Sequence, residues 1–167
     1  VETQSNETEI LDTNAGGVAL GGFTNDDFST GFNTSYDFNG EIYEVIVFSA
    51  DLNAAQRILV ENYLASRIDG LSVANDYFEY DAGHGTDVAG IGQASDGTNH
   101  TDAQSAAFRV SNPASRSNGE FLLFGHDDQA FSLPNTSERP RGDTNVQKVQ
   151  REWRVDLTGA STQTVDV

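Results

Sequence analysis

The most apolar stretch of the chain, Glu41-Ile42-Tyr43-Glu44-Val45-Ile46-Val47-Phe48, is apolar at every position towards its end. It is rich in β-branched and aromatic residues, which predicts a strand over 41–48 with both faces covered, as inside a β-sandwich. The period then changes. Leu52, Ala55, Leu59 and Tyr63, with Ile58, Ala65 and Ile68 alongside, recur at three- and four-residue spacing and predict an amphipathic helix over 54–68. Asn53 stands at its start with Gln56 three residues on, a capping-box spacing, and Gly70 is placed to stop it.

Before this pair the chain is rich in Gly, Asn, Thr and Asp, with one short apolar run at 17–21 that predicts a strand between loops. After Gly70 the texture returns to β, with strands expected at 106–111, 120–124, 146–157 and 162–167 between Gly/Asn/Asp/Ser loops. Residues 137–144 form a polar loop holding Pro140 and Gly142. No internal repeat is visible. Short strands with turn signals between them predict an all-β chain of sandwich type, and the helix end near residue 70 is the expected domain boundary.

A hydrophobic share of 37% with 10% aromatics is enough to build a core. Charge is the outlier: 26 acidic against 9 basic residues give a net charge of −17. That field repels phosphate backbones and anionic membrane surfaces, so nucleic acid is not an expected partner. Divalent cations, a high-salt setting and plain solubility each account for such acidity. With no cysteine there is no disulfide framework and no thiolate metal site, which leaves secretion open. No run approaches the roughly 20 apolar residues of a membrane span, so membrane insertion is not expected. Starting on Val1, the chain reads as an excised or processed piece.

Phe38-Asn39-Gly40-Glu41-Ile42-Tyr43-Glu44 through Phe48, then Leu52, Arg57, Val60-Glu61-Asn62-Tyr63-Leu64, resembles the C-terminal end of laminin-G/concanavalin-like jelly rolls in bacterial extracellular proteins. The resemblance makes 1–70 the C-terminal part of a jelly roll closed by the helix. Asp87-Val88-Ala89-Gly90-Ile91-Gly92, Phe121-Leu122-Leu123-Phe124-Gly125-His126-Asp127-Asp128 and Arg151-Glu152-Trp153-Arg154-Val155 resemble landmarks of a β domain that follows such jelly rolls in large bacterial surface proteins. It implies a second β-sandwich-like domain over 71–167, truncated at its C-terminal end, with Trp153 in its core. In it, 87–92 is a loop-to-strand turn.

Gly83-His84-Gly85-Thr86 followed by Val88-Ala89-Gly90 also resembles the histidine motif of subtilisin-like proteases. That chemistry needs an Asp, this His and a Ser in a G-T-S-x-A context on an α/β scaffold. No such serine context exists, Asp87 occupies the second histidine position, and no βα alternation surrounds the string, so no catalytic residue is expected. His84, His100 and His126 are scattered singly, against a zinc site. Calcium, which takes six to eight oxygens, has loop candidates in Asp26 and Asp27, in Asp96, Asn99 and Asp102, and in Asp127 and Asp128. None completes an EF-hand loop, and solvated loop carboxylates are the plainer alternative.

Arg141-Gly142-Asp143 matches an integrin tripeptide but suits an ordinary turn. Asn6, Asn33, Asn99 and Asn135 open N-x-[ST] sequons. Phe23, Phe28, Phe32, Tyr36 and Phe38 either cover a sandwich edge or offer rings to a sugar. Two functions follow: a non-catalytic adhesin or filament segment whose partners are neighbouring domains or copies of the chain, or a calcium-assisted module that binds glycans. Both are extracellular. Leaving Ile42, Val45, Ile46 and Val47 half-wet forfeits several of the roughly 1.5–3 kcal/mol that each buried apolar side chain contributes, so 1–70 is not expected to stand alone as a folded monomer.

Overall fold

A computed structural model describes residues 23–24, 32–33, 39–111, 113, 116–132 and 149–159. The chain divides into two compact units, Val1–Ile46 and Val47–Val167. In the first, β1 (Phe23–Thr24) pairs antiparallel with β2 (Phe32–Asn33). The second holds helix α1 (Ala54–Arg67), a single helical turn α2 (Asp81–His84), and strands β3 (Thr86–Gln93), β4 (Asn99–His100), β5 (Asp102–Ser105), β6 (Phe108–Ser111), β7 (Glu120–His126) and β8 (Trp153–Thr158). Four of these make an antiparallel sheet in the order β4-β3-β7-β8, and β5 and β6 form a separate hairpin. The described residues are β-rich, as the short strands and turn signals predict.

Strand β7 explains the layering. Its side chains alternate between faces, and both faces are apolar. Phe121 and Leu123 join Ala55, Phe78, Val88 and Ala94, with Ala54, Ile58 and Leu59 of α1 packed against them. Leu122 and Phe124 join Ile91 and Val110, with Ala103 and Phe108 of the hairpin alongside. The helix therefore covers one face and the hairpin the other. Strand β3 alternates in step, with Ala89 and Ile91 towards the hairpin and Gly90 and Gly92 towards the helix. A Cβ on Gly90 would lie 2.9 Å from Leu59 Cδ2, and one on Gly92 would run into the Phe121 ring. The Ala-Gly-Ile-Gly string is thus a helix-packing surface: glycine is there because α1 and Phe121 come too close for anything larger.

Local chemistry sets the helix start. The Gln56 amide donates to Asn53 Oδ1 at 2.9 Å and the Asn53 amide donates to Gln56 Oε1 at 3.0 Å, closing the capping box. Asn53 Nδ2 also donates to the Asn99 carbonyl at 3.1 Å, tying the cap to β4. Halfway along α1, Asn62 is only 1% exposed. Its Nδ2 donates to the carbonyls of Ile58 (2.8 Å) and Asn75 (2.7 Å), and its Oδ1 accepts from the amides of Tyr77 (2.7 Å) and Phe78 (3.1 Å). Two donors and two acceptor sites are all used. The segment after the helix is thereby held so that Phe78 reaches the core.

Several expectations are corrected. Residues 41–48 form no strand, and Ile42, Tyr43, Val45, Ile46, Val47 and Phe48 are exposed. Strand-forming side chains do not make a strand without a neighbour to take the backbone N–H and C=O groups, and none lies alongside among the described residues. The helix, expected over 54–68, spans Ala54–Arg67 and packs against the sheet that follows it. The string 87–92, expected as a turn, is most of β3. The strand expected at 106–111 starts at Phe108, that at 120–124 runs on to His126, and residues 149–152 are not strand. Residues 17–21, 137–144 and 162–167 lie outside the described residues.

Asn62→Ala strands the Tyr77 and Phe78 amides and the Asn75 carbonyl, at about 1–3 kcal/mol for each buried group left unsatisfied. Denaturant unfolding should show a loss of at least about 2 kcal/mol. A change within about 0.5 kcal/mol would mean the staple does not hold the fold.

Candidate functional site

The polar groups with the most unusual settings gather where β3 begins and β7 ends. Thr86 pairs with His126, but the next pair is Ala89 with Phe124, so the register slips by a bulge that contains Asp87. Asp87 has φ 52° there, in the left-handed region that costs a non-glycine residue energy. Its carboxylate compensates: Oδ2 accepts the Ala106 amide at 2.6 Å. Ala106 itself has φ 50° and is the first of two residues turning the β5–β6 hairpin. One strained residue holds another.

His126 ends β7 and is 3% exposed. Its Nδ1 accepts the Asp128 amide at 3.0 Å, so the proton of the neutral ring sits on Nε2. Asp128 has φ 57° and lies 4.0 Å from Arg151 Nη2. Asp127 ties β7 to the start of β8: its amide donates to the Glu152 carbonyl, and its Oδ1 accepts the amides of Gln129 (3.2 Å) and Glu152 (3.1 Å). Burial works to raise the Asp127 pKa, but these amides and nearby His84 hold it below the usual carboxylate value.

Trp153 opens β8. Its Nε1 donates to the Ser105 carbonyl at 3.1 Å, and its ring meets those of His126, Phe108 and Phe131 at 5.9, 6.0 and 6.3 Å. Trp153, expected in the core, is half-buried and stands outside both buried clusters, and Phe131 is the exposed member of this ring group at 57%. Beside this end, a polar cleft of 270 Å³ is lined by Ser66, Arg67, Asp81, Gly83, Gly85 and Thr86. Burial, then the charge of Asp76, raises the Asp81 pKa.

The described calcium candidates lie in two stretches, 96–102 and 127–128. Asp26 and Asp27 lie outside the described residues. Asp96 Oδ1 accepts the Thr98 hydroxyl at 2.7 Å and the Thr98 amide at 3.0 Å within the β3–β4 turn. Asn99 lies in β4, and Asp102 pairs with Arg109, whose Nε donates to Oδ1 at 2.8 Å. Asp127 and Asp128 act on the β7–β8 end as described. Among the described residues no three His, Asp or Glu side chains gather to hold a metal ion. His84 sits half-buried in α2, and the Asn99 sequon is exposed. Arg141-Gly142-Asp143, the sequons at Asn6 and Asn135 and the side chains of Phe23, Phe28, Phe32, Tyr36 and Phe38 lie outside the described residues. Sequence reasoning missed Asp87 and Asn62. A lone Asn among apolar helix positions was the available signal for the second.

Burial pushes the His126 pKa down, helped by Arg151 and opposed by Asp87, Asp128 and Asp127. A folded pKa below the unfolded value of about 6.5 means the unfolded chain takes the proton first. Stability from this group is therefore complete above about pH 6.5 and falls as pH drops towards its lowered folded pKa. The Tm should fall between about pH 7.5 and pH 5, and His126→Asn, which keeps an acceptor near Nδ1 without the proton, should reduce that fall. An unchanged pH slope in the variant would remove His126 as its source.

Comparison with known proteins returns one family. No curated protein and no solved structure matches the chain. The matched region, residues 60–167, starts within α1 and takes in the whole sheet, the hairpin and the β3–β7 bulge. The chain belongs to the family described as a domain of unknown function, DUF8202.

Proposed function

We propose that the chain is a non-catalytic structural or adhesive segment of a large secreted or cell-surface bacterial protein, with jelly-roll and β-sandwich material in series. The observation that carries this reading is the work done by the polar groups at the β3–β7 end. Asp87 holds a hairpin turn, Asp127 ties two strands, and His126 gives Nδ1 to a backbone amide. Side chains committed to backbone groups in this way serve rigidity, whereas a general base needs its nitrogen free for a nucleophile or substrate. The resemblance of 38–70 and 76–167 to modules of bacterial surface proteins supports the setting.

A second reading, a calcium-assisted carbohydrate-binding module, is favoured by one feature: the exposed Phe131 ring beside Trp153, with Gln129 and Asp128 exposed nearby. Aromatic faces flanked by amides and carboxylates suit sugar rings.

A glycan array probed with residues 1–167, with and without calcium, separates the two. The structural reading expects no sugar class bound above background. Reproducible, calcium-dependent binding to one class would favour the module. Casein hydrolysis lost in His84→Ala would overturn both.

A further inference from the structure

We propose that Asn118-Gly119 is a site of spontaneous deamidation that the folded sheet holds shut, and that it reacts only when the end of the sheet around 93–95 and 118–120 opens. The inference goes beyond the structural reading above and does not depend on it. Asn-Gly occurs twice in the chain, at 39–40 and 118–119. In such a pair the glycine nitrogen can attack the side-chain carbonyl carbon of the asparagine, because glycine has no side chain in the way. A C–N bond forms, the glycine nitrogen gives up its proton, and the side-chain nitrogen leaves as ammonia. The five-membered succinimide then takes up water at either carbonyl, giving aspartate or its β-linked isomer, isoaspartate. Asparagine and water become the acid and ammonia, and no other reactant is needed.

The geometry at Asn118 opposes that attack on both reacting groups. The Gly119 amide donates to the Gln93 carbonyl at 2.8 Å, so the attacking nitrogen is held by its proton. Asn118 Oδ1 accepts from Gln93 Nε2 at 2.8 Å, and Asn118 Nδ2 donates to the Ser95 carbonyl at 2.9 Å. The carbon under attack is therefore pinned through both of its substituents. These bonds tie the end of β3 to the start of β7, where Gln93 pairs with Glu120. Local opening of such a sheet end releases nitrogen and carbon together. With ammonia lost to solution, the reaction does not reverse. A carboxylate has no donor for the Ser95 carbonyl, and isoaspartate adds a methylene to the main chain just ahead of β7. Each opening that ends in reaction leaves a sheet end that cannot close as before.

The full-length chain is incubated in mildly alkaline buffer, folded and in denaturant, and peptide mapping by mass spectrometry follows both Asn-Gly pairs. Denatured, Asn118 and Asn39 should react at similar rates, since each is followed by glycine. Folded, Asn118 should react at least about tenfold more slowly than in the denatured chain, because only the opened fraction reacts. Gln93→Ala removes the Nε2 donor and should speed the reaction at Asn118 several-fold while leaving Asn39 unchanged. Hydrogen exchange of the Gly119 amide supplies a readout that needs no variant. In the unmodified chain under graded, sub-denaturing urea, Gly119 exchange and Asn118 deamidation should rise together, because both require release of the Gln93 carbonyl. Equal Asn118 rates in folded and denatured chains would overturn the proposal. So would exchange and deamidation that diverge with urea, a folded Gln93→Ala chain with no acceleration, or a product free of isoaspartate, the mark of direct hydrolysis.

Discussion

Asn62 lies where the helix, the loop after it and the sheet must agree. Helix α1 can slide or roll on an apolar face at modest cost, because hydrophobic contact has no direction. Four hydrogen bonds from one buried amide do have direction, and they fix the Asn75–Phe78 segment against the helix. Phe78 then lies under the end of β7, where a Cβ on Gly125 would come within 3.1 Å of its ring and would collide with the His84 carbonyl. The path from Asn62 through Phe78 to Gly125 sets how closely α2 approaches the strand that carries His126. Helix position and the geometry of the candidate site are therefore one constraint.

What could be read from the sequence follows the range of the forces involved. The helix and its capping box were legible because Asn53 and Gln56 are three residues apart and need nothing else. Strand β7 was legible in Phe121–Phe124 because burial on both faces leaves an unbroken apolar run. Strand β3 was not, since Gly90 and Gly92 erase the hydrophobic alternation while serving the packing that makes it a strand. The reverse error occurs at 41–48, where the side chains favour a strand but no strand pairs with them among the described residues. Strand formation is a property of pairs, and half of each pair lies elsewhere in the sequence or in another chain.

The site was legible in its residues and illegible in their roles. Asp127 and Asp128 stood out as an acidic pair, and His84 as part of a catalytic-looking string. In the folded chain Asp127 and His126 bind backbone, as does Asp87, noticed in the sequence only as the residue in place of a second histidine. The hairpin turn between Ser105 and Phe108 carries alanines where a turn of this length usually shows Gly, Asn or Asp, so no local signal marked it. Its positive φ at Ala106 is tolerable because a carboxylate nineteen residues away fixes the amide. Backbone strain of this kind costs on the order of 1–3 kcal/mol per residue, comparable with a strong hydrogen bond to a charged group, so the two nearly offset.

The same exchange gives part of the acidity a structural meaning. In a chain without cysteine, carboxylates serve as clips for turns and strand ends. Asp87 holds Ala106, Asp96 holds Thr98, Asp127 holds Gln129 and Glu152, and Asp156 accepts the Glu79 amide at 2.9 Å. Each clip is a hydrogen bond strengthened by the charge of the carboxylate. For Asp96 the Thr98 hydroxyl and amide lower the pKa, so this contribution is present above the unfolded carboxylate value and fades only as pH falls through the lower folded one. A disulfide clip would be indifferent to pH and lost to reductant. Carboxylate clips are indifferent to reductant, so the fold's local order does not depend on the redox state of its surroundings.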